Sequence, residues 1–117
     1  MGKVPKSDVK RLSRFIKDLA ASRPKVSKEI ELNVISSLMK KVGFRGPEHK
    51  PGTVRAFSHE LLVVNPMLLN GVFTVHIYGK KVPTILYRDF KQYMLPHIED
   101  VLAQLEERGL IEEDPNV

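Results

Sequence analysis

Cysteine is absent from the 117 residues, which removes thiolate metal ligation, thiol catalysis and any disulfide framework together. A reducing compartment is thereby permitted. Tryptophan is missing too, and aromatics make up only 7% of the chain, with no sign of the interleaving with cations that single-strand binders use as stacking platforms. No apolar run approaches the roughly 18 residues of a membrane span, and Met1 to Lys17 lacks the continuous apolar core of a signal peptide. These absences predict a cytoplasmic protein without a membrane role. Neither an internal repeat nor a low-complexity tract is present, which sets aside solenoid and fibrous classes.

A hydrophobic fraction of 42% beside 28% charged residues is ordinary for a globular protein. The length suits one domain over residues 1–117, able to bury a core without metal or disulfide, with fraying expected at about 1–6 and 112–117. Charge is distributed unevenly. Residues 1–56 hold 14 Lys and Arg against 5 Asp and Glu, a net of +9, whereas residues 57–117 hold 5 against 9, a net of −4. A basic half of this kind suits a polyanion partner, because neutralising phosphates releases condensed counterions.

Ser7 is the expected N-cap of a helix running to about Ser22, with Asp8 complementing its dipole and Pro24 ending it. Val9, Leu12, Phe15, Ile16, Leu19 and Ala20 form one apolar stripe at helical spacing. Lys10, Arg14 and Lys17 fall opposite that stripe and Arg11 at its margin, so the outer face is basic. A second helix is predicted from Ser27 as N-cap to Gly43 as C′ residue, with Phe44 folding back on Met39 and with Lys40 and Lys41 favoured by the dipole.

Residues 45–52 are rich in Gly and Pro and read as a loop, without the spacing of a phosphate-binding P-loop. Beyond Thr53, β-branched and aromatic residues at a period near two predict strands at about 53–57, 60–65, 72–78 and 82–87. Asn70-Gly71 and Gly79-Lys80 are the expected hairpin turns of a meander. Pro96 predicts a short helix to Leu95 and a new helix from Pro96, a single kinked helix being the alternative, with Gly109 as C′ residue and Leu110 closing on Leu105. The resulting fold class is α+β: two N-terminal helices, a three- or four-stranded antiparallel sheet and a C-terminal helix packed on it.

Ser58-His59-Glu60 contains the residue types of a catalytic triad, yet adjacent residues on an extended chain point to alternate sides. The histidines at 49, 59, 76 and 97 lack the spacing of a shared metal site, and the carboxylates of the last helix lie opposite its apolar stripe. We therefore expect no catalytic residues, no metal, no cofactor and no small-molecule substrate. His97-Ile-Glu-Asp-Val-Leu-Ala-Gln-Leu-Glu-Glu-Arg-Gly-Leu-Ile111 resembles the helix leading into the wing of winged-helix regulators, over about an eighth of the chain. No residue role carries over, since six residues follow Ile111 and the outer face of this helix is acidic.

The expected function is a non-enzymatic nucleic-acid-binding protein that contacts the phosphates of DNA or RNA through Lys10, Arg11, Arg14, Lys17, Arg45 and the Lys80-Lys81 turn. The alternative is an interaction or scaffold subunit with no nucleic-acid role. Met67, Leu68 and Leu69, apolar in an expected connection, are then the contacts of a homodimer or larger complex.

Overall fold

The first helix forms where its apolar stripe predicts. In the computed structural model, which describes residues 1–114, a strand β1 (Val4–Pro5) runs directly into α1 (Lys6–Ala21). Leu12 is fully buried, with Val9, Phe15, Ile16 and Leu19 packed around it against the core. Pro5 takes the N-cap position expected of Ser7. The Ser7 amide and hydroxyl instead both donate to the Asp114 carboxylate, at 3.1 Å each, so an acid 107 residues away supplies the helix's N-terminal anion.

The second helix is shorter than its periodicity predicts. Residues from Ser27 do not open it; β2 (Glu29–Glu31) precedes α2 (Leu32–Lys40). Ile30 is the reason, because pairing β2 antiparallel with β6 (Thr84–Leu86) sets it opposite Ile85 and buries both. The Leu32 amide then donates to the Pro83 carbonyl at 3.0 Å. At the other end the expected cap is present: Gly43 has φ +100°, and the Phe44 amide donates to the Met39 carbonyl at 3.2 Å.

Three strands, β3 (Arg45–His49), β4 (Val54–Ser58) and β5 (Val72–His76), make an antiparallel sheet in the order β3-β4-β5. Two of them match the expected strands near 53–57 and 72–78. β3 lies where a loop is expected; its residues are mostly exposed and its register shifts between Arg45 and Glu48, which lets Pro47 sit on an edge strand. The expected strand at 60–65 does not form. Leu61 and Leu62 are both buried while Val63 and Val64 are both exposed, a pairwise pattern that a strand's alternation cannot produce. Residues Glu60–Leu62 make a 3₁₀ turn instead, and Asn70-Gly71 closes the long β4–β5 connection rather than a two-residue hairpin.

Tyr78 and Thr84 exchange two backbone hydrogen bonds of 2.8 Å around the Gly79–Pro83 turn. The chain then enters α3 (Tyr87–Asp89), a π turn over Phe90–Met94 and α4 (Leu95–Glu107) without a break. Pro96 falls in the first turn of α4, where a helix start is expected, and the residues before it form a π turn continuous with that helix rather than a separate short helix. This C-terminal helix packs on the sheet, with the His97 ring 4.8 Å from that of Phe73.

Gly109 has φ +64°, and the Leu110 amide donates to the Leu105 carbonyl at 2.8 Å, as the C′ assignment predicts. Ile111 does not lead into a wing hairpin, because β7 (Ile111–Glu112) pairs parallel with β1. Residues 4–5 and 112–114, within the ends expected to fray, are held by this pair and by the Asp114 contacts, with Val4 buried; the rest of the expected C-terminal tail, 115–117, lies outside the described residues.

The two C′ glycines make a test. An added Cβ at Gly109 meets nothing within 4 Å, whereas at Gly43 it falls 2.8 Å from His59 Nε2. Gly109→Ala is expected to lose about 1 kcal/mol from its left-handed backbone alone. Gly43→Ala adds displacement of a buried ring and is expected to lose about 2–4 kcal/mol. Urea unfolding of the two variants measures the difference.

Candidate nucleic-acid interface

Burying the Leu12 stripe leaves the opposite side of α1 in water, and Lys10, Arg11, Arg14 and Lys17 are all exposed there. Arg11 is 3.9 Å from Asp8, one turn away. Among the described residues, Lys10, Arg14 and Lys17 have no carboxylate within ion-pair distance. Lys10 and Lys17 are two turns apart, about 10 Å along the axis. The helix N-terminus itself is already occupied by Asp114, so this face offers side-chain cations, not backbone amides.

Lys80 and Lys81 are exposed in the Gly79–Pro83 turn, and the base of that turn is braced. The Tyr78 hydroxyl donates to Asp89 Oδ2 at 3.2 Å, Arg88 Nε donates to Asp89 Oδ1 at 3.3 Å, and the Thr84 hydroxyl donates to Glu29 Oε1 at 2.9 Å. The hydrogen bond to Asp89 also raises the Arg88 pKa above its ordinary value.

Arg45 opens β3, after the C-terminal end of α2, whereas Pro83, which ends the turn carrying Lys80 and Lys81, accepts through its carbonyl from the amide of the first residue of that helix. Arg45 borders a cleft of about 290 Å³ with Ser58, Glu60 and Asn70. The seven basic residues belong to three different elements. They form a helix face, a braced turn and an edge-strand arginine.

Sequence patterning did not single out the connection between α1 and β2, where Arg23, Lys25 and Lys28 are exposed and without ion pairs among the described residues. Three cations in six residues were the available signal. They extend the basic character of α1 past its C-terminal end.

Against family models, curated proteins and solved structures, the chain finds no match.

His59 is committed to backbone partners on both ring nitrogens. Its ring is 2% exposed, with Nδ1 accepting from the Leu61 amide at 3.0 Å and Nε2 2.9 Å from the Val42 carbonyl. An amide can only donate and a carbonyl only accept, so the ring is the neutral Nε2–H tautomer. Burial lowers its pKa, opposed by the bond to Val42 and by the nearby Glu60 charge. Both nitrogens are committed to backbone partners, which leaves neither to accept a proton from Ser58. Met67 and Leu69 are among the most exposed apolar residues, at 85% and 82%, whereas Leu68 is half-buried and packs against the core.

Proposed function

We propose that this protein binds nucleic acid through the phosphate backbone, non-enzymatically, using the basic face of α1, its continuation through Arg23, Lys25 and Lys28, and the Lys80-Lys81 turn. The supporting observation is the set of exposed cations on one helix face, Lys10, Arg14 and Lys17, without intramolecular ion pairs among the described residues. Like charges three and four residues apart repel mildly along a helix, and a polyanion relieves that repulsion while releasing its own counterions. Phosphate contact of this kind supplies affinity and orientation without sequence readout.

Fluorescence anisotropy with labelled duplex DNA and duplex RNA tests the proposal. With four to seven phosphate contacts, raising salt from about 50 to about 200 mM is expected to weaken binding about 10²- to 10⁴-fold. Absence of binding to either duplex at the lower salt overturns it.

A further inference from the structure

The 13-residue segment from His59 to Gly71 is closed at its neck by the hydrogen bond from the His59 amide to the Gly71 carbonyl, at 3.4 Å. Two successive turns, Asn65 to Leu62 and Leu68 to Asn65, at 3.0 and 3.1 Å, make it a compact Ω-type loop. It is fastened to α4 by Gln104, whose Nε2 donates to the Leu61 carbonyl at 2.9 Å. Its inner side chains, Leu61, Leu62 and Leu68, meet the core. Its outer ones are apolar as well: Val63 is 57% exposed, Val64 68%, Met67 85% and Leu69 82%. Four large aliphatics held in water by a well-anchored loop have no role in the monomer's core and mark a contact surface.

Beside this loop a groove of about 510 Å³ runs to the end of α4, floored by Leu61, Val63, Val64 and Leu110. Glu60 and Arg108 are its charged side chains, one of each sign. The Glu60 carboxylate is 3.6 Å from the Met1 amino group, yet its side chain is 66% exposed and open to a further partner.

We propose that this loop and groove dock a second copy of the same chain about a two-fold axis, with Val63, Val64, Met67 and Leu69 at the centre and Glu60 of each copy facing Arg108 of the other. Charge complementarity selects this occupant. An isologous contact brings a surface against itself, so an apolar patch carrying one acid and one base satisfies both charges twice. A nucleic acid would set its phosphates against Glu60 and gain only Arg108, and a bilayer would desolvate both charges without supplying either with a new partner. Lys10, Arg14 and Lys17 do not line the groove, so pairing leaves the basic face open.

Sedimentation equilibrium of the full chain over a range of concentrations tests the proposal. The wild-type mass is expected to rise from 13.3 kDa toward twice that value. Val64→Asp, at an exposed position, is expected to weaken association at least about 100-fold with an unchanged circular dichroism spectrum and melting temperature. Glu60→Arg, which sets arginine against arginine, is expected to do the same, and Glu60→Arg combined with Arg108→Glu to restore pairing. A wild-type mass fixed at 13.3 kDa, a Val64→Asp chain that pairs like wild type, or a double variant that stays monomeric overturns it.

Discussion

His59→Ala is expected to lower folding stability by about 3–5 kcal/mol, seen as a lower urea midpoint at unchanged slope. The ring is sealed among Phe44, Val42 and Leu61, with the Phe44 ring edge-on at 4.7 Å. Truncation opens a cavity and orphans two buried backbone groups, each worth about 1–3 kcal/mol when left unpaired.

Acid is expected to act on the same joint. The folded pKa lies below the ordinary 6.5, so on acidification the unfolded chain takes up the proton first. The stabilisation from the neutral ring is therefore complete above about pH 6.5 and is lost as pH falls from there through the lower folded pKa. Protonation gives the ring its second N–H, at Nδ1, facing the Leu61 amide that had been the donor to that nitrogen. His97, whose pKa is lowered by burial against the opposing effect of Asp100, contributes with the same sign. The difference between wild-type and His59→Ala stability, followed from about pH 7 to about pH 5, isolates the His59 part. A difference independent of pH contradicts the neutral-tautomer assignment.

Lys10→Glu/Arg14→Glu is expected to weaken duplex binding at least about 100-fold at low salt and to reduce the salt slope by about two, one unit for each phosphate contact removed. Both side chains are exposed, so stability should change by no more than about 0.5 kcal/mol for each. Lys40→Glu/Lys41→Glu alters net charge equally at the far end of α2 and serves as the control, with an expected loss below about 5-fold. Anisotropy titrations of the three proteins at two salts decide it. Equal losses in the two variants mean that overall charge, not the α1 face, drives binding.

What could be read in advance follows the range of the forces involved. α1 and the caps at Gly43 and Gly109 are local matters of stripe and glycine placement, and the basic face follows once Leu12 points inward. β2 and β3 were hidden because long-range pairing creates them: Ile30 needs Ile85, and Arg45–His49 has no apolar alternation of its own to announce an edge strand. Val63-Val64 misled through β-propensity, which here yields to the 3₁₀ turn capped by His59. The basic residues of α1 were legible as a face, whereas the placing of Arg45 on an edge strand follows from pairing with β4, which no local pattern announces.

The pairing of Val4–Pro5 with Ile111–Glu112 has a consequence for the order of biosynthesis. α1 is made ahead of the other helices of this fold, but the strand that covers Val4 and the carboxylate that receives the Ser7 amide are made 107 residues later. The earliest helix is thus the last to be completed. Until the final turns of α4 and the residues after Gly109 have emerged, a nascent chain holds the segment around Val4 without its partner, so closure of this fold is a late event in its own synthesis.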